Sequence, residues 1–239
     1  MKKILITAPI RQKPDILEEY LRSLDNLKTP EDCQIDGYFI LHNCFNELKY
    51  MFHKDNVLEE FNDKTDDVRQ DQNTHIWQDG NFKAIVTMKN KIKDYALKNN
   101  YDYVFMVDSD LILHPNTLNH LFCILEGSCE NVIGEMFYTD WDKSGRMLPN
   151  CWDMDSYSFI KNPEIRYKNK NANVYQVGGT GACILIRTKI FENKSINYNP
   201  IQNISFSSWE DRAFCIRCYV NDIKVFIDTS FPAKHLYHD

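Results

Sequence analysis

The sequence predicts an α/β fold in which a mainly parallel central sheet is flanked by helices. Three observations carry this. The first half alternates strand-like and helix-like segments, as parallel strands joined by crossover helices require. Residues Tyr103–Val107 form an almost continuous apolar run, the pattern of a strand buried on both faces. No internal repeat, low-complexity tract or Pro/Gly/Ser-rich linker breaks the 239 residues, so one domain accounts for them.

The elements follow in order. Residues 3–8 read as a β-rich first strand that ends at Pro9. Residues 14–27 place Ile16, Leu17, Tyr20, Leu21 and Leu24 at helical spacing behind Pro14 and Asp15, a favoured helix start. Residues 37–41 read as a second strand, followed by His42 and Asn43. Residues 47–61 are expected to be helical, 62–72 a polar acidic loop, and 75–77 a short strand. Residues 82–99 read as a helix with Ile85, Met88, Ile92, Tyr95 and Ala96 on one face. After the strand at 103–107, His114 and Pro115 open a helix to about residue 125. The second half is less regular. It holds a strand at 131–137, an irregular aromatic stretch at 138–173 and an apolar strand at 182–186. A helix from Ser208 to about residue 220 and a last strand at 223–227 complete it.

Composition narrows the function. An apolar content of 43% excludes disorder, and no collagen or coiled-coil pattern is present. Lys plus Arg number 28 against 34 Asp plus Glu, a net charge of −6, which argues against nucleic acid as a partner. A small phosphate-bearing ligand would need local cations or a metal ion. The apolar run after Met1 is too short for a secretion signal or a membrane span, and no later stretch is long enough, so a cytoplasmic chain without a transmembrane segment is expected. Of eight cysteines only Cys215 and Cys218 form a C-x-x-C, with no second pair at zinc-ribbon spacing. Three-residue spacing puts both thiols on one helical face, and the core face suits them.

Asp108-Ser109-Asp110 is the strongest chemical feature. It follows a buried strand directly, at the carboxyl edge of the sheet where α/β folds place ligands. Two carboxylates two positions apart can share a hard cation such as Mg²⁺ or Mn²⁺ that keeps positions open for diphosphate oxygens. The same triplet also suits an Asx-type turn. Ser208-x-x-Asp211 fits a helix-capping pattern, and Glu210 and Asp211 suit a helix N-terminus. Gly178-Gly179-Thr180-Gly181 matches neither a P-loop nor a dinucleotide fingerprint, and is either a plain loop or a place where backbone meets ligand. Trp141, Trp152 and Trp209 are either packed or walls against which a sugar face stacks.

Taken in order, these motifs resemble a GT-A-fold glycosyltransferase of the family-2 type. The opening Thr7-Ala8-Pro9-Ile10-Arg11 is also similar to that of fungal mannan-polymerase-type mannosyltransferases. The resemblance covers nearly the whole chain. It takes in that opening, Lys89-Asn90 ahead of the strand, the Asp-x-Asp triplet, the Gly178-Gly179-x-Gly181 segment with Arg187, Trp209-Glu210-Asp211 with Arg217, and His235.

The resemblance implies a Rossmann-like GT-A domain with a nucleotide-binding half, residues 1–125, and a donor-sugar and acceptor half, residues 126–239. Thr7, Pro9 and Arg11 would line the nucleotide pocket, with Asn43 at the base, where many relatives have Asp. Lys89 and Asn90 would serve the donor, with Lys89 and Arg11 offsetting the charge of the departing diphosphate. Asp108 would touch ribose or metal, with Ser109 beside it, and Asp110 would bind the metal. His235 would be a third metal ligand, with His238 as its substitute. Gly179 would border the donor sugar. Asp211, or failing it Glu210, would be the general base of an inverting transfer.

The activity so implied is metal-dependent transfer of a sugar from a nucleotide diphosphate, UDP favoured, to a carbohydrate, lipid or protein acceptor, with Mn²⁺ or Mg²⁺ as cofactor. Two alternatives stand beside it. A sugar nucleotidyltransferase would carry a glycine-rich loop straight after the first strand, and residues 7–14 contain no glycine. A catalytically silent nucleotide-sugar-binding module would bind without turnover.

Overall fold

The computed structural model describes residues 1–64, 69–70, 75–76, 79–140, 145, 147–153, 173–202 and 210–236. The chain forms β1 (Lys2–Ile10), α1 (Pro14–Asp25), β2 (Cys33–His42), α2 (Phe45–Leu48) and β3 (Val57–Phe61). Two short strands, β4 (Arg69–Gln70) and β5 (His75–Ile76), precede α3 (Asp79–Lys98). Then come β6 (Tyr103–Val107), β7 (Leu111–Ile112), α4 (Thr117–Glu126), β8 (Val132–Thr139), β9 (Leu148–Pro149) and β10 (Cys151–Trp152). The last elements are β11 (Val174–Val177), β12 (Gly179–Thr180), β13 (Cys183–Arg187), α5 (Glu210–Val220) and β14 (Val225–His235).

The main sheet runs β11-β14-β8-β13-β6-β1-β2-β3. The sequence predicts a mainly parallel sheet; the observed one is mixed. Strands β1, β2, β3 and β6 are mutually parallel, and β8 pairs parallel with β14. Between these two groups lies β13, antiparallel to both β6 and β8, and β11 is antiparallel to β14 at the edge. Because β13 opposes both neighbours, β8 and β14 point the same way as β6. Six strands therefore present their carboxyl ends along one edge.

The apolar core lies on both faces of this sheet. Tyr103, Phe105 and Val107 of β6 pack on one face with Leu17 and Tyr20 of α1 and Leu118, Leu121 and Leu125 of α4. Val104 and Met106 point the other way, onto Ala84, Ile85, Met88 and Ile92 of α3 and onto Phe214, Cys215 and Cys218 of α5. The two C-x-x-C thiols are thus core residues, as their spacing predicts, and all eight cysteines are free thiols. Among the described residues no helix is long and apolar enough to cross a membrane.

Two further expectations need correction. Residues 47–61 are not one helix: a single turn, Phe45–Leu48, is followed by a 3₁₀ turn and then by β3, which pairs parallel with β2. Val57, Leu58 and Phe61 are spaced as on a helix, yet they sit on an edge strand where Val57 is exposed. The last strand does not stop at residue 227. It runs on through an irregularity between Asp228 and Ala233 and ends at His235.

Candidate active site

A cleft opens at the carboxyl edge of the sheet. It is lined by Pro9, Ile10 and Arg11 from the end of β1, His42 from the end of β2, Asn81, Ile85 and Met88 from α3, and Asp108, Ser109 and Asp110 after β6. The edge is tied together locally. Tyr20 of α1 donates its hydroxyl to the Val107 carbonyl at 3.0 Å, fixing the strand end just before Asp108. The Asp108 N–H donates to the Ala182 carbonyl at 2.6 Å. Ala182 sits in the left-handed region, at φ 66°, as the chain turns into β13.

Asp110 and His235 meet here. His235 Nε2 lies 3.4 Å from Asp110 Oδ2, and the Leu236 N–H donates to the Asp110 carbonyl at 2.8 Å. The imidazole stacks on Phe137 at 5.5 Å between ring centres, and its Nδ1 is 3.5 Å from Thr139 Oγ1. Burial pushes Asp108 well above the usual carboxylate range; Lys89 pulls it back, and Asp110, Asp211 and Glu210 add to the rise. A cation beside Asp108 would relieve that charge, so two carboxylates and an imidazole fit a hard divalent ion in kind. Among the described residues, no three His, Cys, Asp or Glu side chains are already gathered as a metal cage.

Behind the cleft lies an ionic cluster. Lys89 Nζ donates to Asp211 Oδ1 at 2.7 Å and to Glu210 Oε1 at 2.8 Å, and its side chain is 1% exposed. Burial works against its charge, but Asp211, Glu210 and Asp108 outweigh it and hold the ammonium well above its ordinary range. Asp211 is pushed up to about 6 by burial, with Lys89 pulling down and Glu210 adding. The other oxygen, Asp211 Oδ2, occupies the space a Cβ on Gly181 would need. Glycine there lets the carboxylate lie against the backbone.

The structure thus brings Pro9, Arg11, Asp108, Ser109, Asp110 and His235 to one edge, with Glu210 and Asp211 close behind. Other predicted residues lie elsewhere. Lys89 is not a cation facing the cleft; it is enclosed by the two α5 carboxylates. Thr7 is fully buried, and its hydroxyl has no hydrogen-bond partner among the described residues. Asn43, with φ 54°, exchanges hydrogen bonds with Asp63 and does not line the cleft. Asn90 donates to Asn199 Oδ1 and accepts from the Tyr198 N–H, joining α3 to the 198–199 segment. Gly179 lies under the Trp152 ring, which also carries the Arg212 guanidinium at 5.3 Å. Trp141, Trp209, Ser208 and His238 lie outside the described residues.

Three contributors are not evident from sequence reasoning. His42 lines the cleft with its Nε2 2.9 Å from Asp63 Oδ1. Asp63 belongs to a stretch that the sequence presents as a polar acidic loop. Asn81 lines the cleft at 4% exposure, and its Oδ1 has no hydrogen-bond partner among the described residues.

Solved structures of similar shape were found. A197 from STIV matches with a TM-score of 0.53 at 11% identity, over 98% of this chain and 85% of that one. Residues 1–349 of S. aureus TarS in complex with UDP match at 0.55 and 16%, over 100% and 60%. The same segment was also solved with UDP-GlcNAc. GalNAc-T7 with UDP, GalNAc and Mn²⁺ matches at 0.60 and 12%, over 99% and 44%. The fold is GT-A-like. At these identities the likeness is one of fold. The chain spans less than two thirds of the TarS segment and of GalNAc-T7. No protein-family model and no curated protein sequence matches it. Open α/β sheets hold ligands at the carboxyl ends of their strands, and the cleft lies at the carboxyl ends of β1, β2 and β6.

Proposed function

We propose that this chain is a glycosyltransferase that moves a sugar from a nucleoside diphosphate donor, UDP favoured, to a carbohydrate, lipid or protein acceptor with inversion. The observation that carries the reading is the joining of two sites. A cleft bearing Arg11, His42, Asn81 and the Asp108–Asp110 pair lies next to a carboxylate, Asp211, held rigidly by Lys89 and Gly181. The fold shared with proteins solved with UDP, UDP-GlcNAc, GalNAc and Mn²⁺ supports the donor class. The nucleotide half would be residues 1–125, and residues 126–239 would supply the acceptor side.

In this reading Asp211 takes the proton from the acceptor hydroxyl as its oxygen attacks the anomeric carbon, and the bond to the diphosphate breaks on the opposite face. Lys89 keeps Asp211 ionised and oriented. Arg11 brings a guanidinium to the diphosphate. Asp108, Asp110 and His235 would hold Mn²⁺ or Mg²⁺, which when bound neutralises charge on the leaving diphosphate. Asn81 offers an acceptor oxygen to a donor group of the nucleoside, with Asp63 orienting His42 beside it.

A thermal-shift panel tests the reading: UDP, GDP and CDP, each with and without Mn²⁺, followed by UDP release from UDP-sugars. The reading expects stabilisation by UDP that grows with Mn²⁺, and turnover of at least one UDP-sugar. Binding without turnover would favour a silent binding module. No response to any nucleoside diphosphate would remove the reading.

A further inference from the structure

Away from the cleft, two carboxyl groups are buried side by side. Glu135 of β8 and Asp228 of β14 are both 0% exposed and stand opposite each other in the parallel ladder. Two negative charges at such a place would be costly without a matching cation. Among the described residues, the titratable groups that face them from neighbouring elements are the Cys183 thiol of β13 and His120 of α4, whose Nε2 is 3.4 Å from Asp228 Oδ2. Glu135 Oε1 accepts from the Met136 N–H at 3.2 Å, and no side-chain donor among the described residues bonds its Oε2. An oxygen buried next to a carboxylate in this way is satisfied if it carries the proton itself.

The place of this pair in the fold gives it a task. Up to Asp228↔Glu135 the two strands are in simple register. The next partners are Ala233 and Phe137, so β14 takes three more residues than β8 to get there. The excess is anchored on Asp228: Ser230 donates to it through its N–H at 3.1 Å and its hydroxyl at 3.0 Å. Phe231 lies stacked on His114 at 4.5 Å and edge-on to His120 at 5.1 Å. Directly past this bulge the strand delivers His235 to Asp110.

We propose that Glu135 carries a proton and acts with Asp228 as a positioning pair, clipping β8 to β14 at the root of the bulge and so setting where His235 reaches the cleft edge. The pair does not touch a substrate, and its role does not depend on the transferase reading. Burial and the neighbouring Asp228 push Glu135 up to about 9, against a smaller pull from the Met136 and Phe231 N–H groups. The folded chain therefore holds this proton more tightly than the unfolded one. Each rise in pH between the ordinary carboxylate range and about 9 costs stability, and the clip opens as the proton leaves.

The experiment compares the full chain with Glu135→Gln and Asp228→Asn, by thermal melts from pH 5 to 10 and by imidazole NMR, with the His235 signal assigned from His235→Gln. Gln keeps the shape and a donor but cannot ionise. Its melting temperature is expected to fall less with pH than that of the parent, and its His235 signal to stay fixed where the parent's shifts near pH 9. Asn at 228 puts an N–H₂ where an acceptor for Ser230 stood, so the His235 signal should be displaced at every pH. Equal pH slopes for parent and Glu135→Gln, or a His235 signal indifferent to both changes, would overturn the proposal. Should Asp228→Asn fail to fold, the Glu135→Gln comparison decides alone.

Discussion

Lys89 and Asp211, 122 positions apart in sequence, form an ion pair at 2.7 Å in which the lysine side chain is 1% exposed. A lysine that the sequence presents as a phosphate-facing cation is instead the buried counter-charge of two carboxylates. That changes what its removal does.

Lys89→Met leaves Glu210 and Asp211 without their cation. A loss of about 3–5 kcal/mol of stability is expected, the usual range for removing one partner of a buried pair, and denaturant unfolding measures it. The kinetic effect has a defined sign. Asp211, held at about 6, acts as a base only when ionised, so kcat/KM should rise with pH through about 6 and level off above it. Because Lys89 pulls Asp211 down, Lys89→Met moves that rise to higher pH, while Lys89→Arg keeps it nearer the parent. An unmoved midpoint would detach Lys89 from Asp211 chemistry.

Gly181→Ala tests the placement of the same carboxylate from the other side. A Cβ at 181 runs into Asp211 Oδ2 and must displace it. A shift of about 1 Å at a reacting group costs about 100-fold in rate. We expect kcat to fall on that scale, with UDP affinity retained, as read by steady-state kinetics beside a UDP titration.

Asn81→Leu separates stability from binding. The buried Oδ1 has no hydrogen-bond partner among the described residues, so removing it should leave stability unchanged or raise it by about 1 kcal/mol. If that oxygen accepts from the nucleoside, UDP affinity should drop about 10-fold in calorimetry. Unchanged affinity would remove Asn81 from the nucleotide site.

Asp110→Asn addresses the cation. It takes a charge from the Asp108–Asp110 pair and weakens the contact to His235. The extra thermal stabilisation that Mn²⁺ adds to UDP should be lost, while the shift with UDP alone persists. A full Mn²⁺ response in this variant would move the metal elsewhere.

Much of this is legible in the chain, for physical reasons. The β6 run followed at once by Asp108 and Asp110 announces a buried strand end, because an apolar stretch that turns directly to acids marks where the backbone leaves the core. The reversed direction of β13 is not legible, since an apolar five-residue run carries no sign of its polarity in the sheet. The edge strand β3 is hard to recognise because its apolar residues mimic a helical face while its partner on one side is solvent. The far end of β14 is hidden by a bulge containing Thr229, Ser230 and Pro232, which reads as a terminator. The partners of Lys89 and His42 are invisible in sequence because their acids lie 121, 122 and 21 positions away, and only the folded sheet brings them together.

The most direct measurement of the central claim is UDP release from UDP-sugars, with acceptor present, by the parent chain and by Asp211→Asn under saturating Mn²⁺. The account predicts turnover by the parent and a fall of about 100-fold or more in the variant, with UDP binding intact, because the amide keeps the shape but cannot take the acceptor proton. Equal turnover by the two proteins would contradict it.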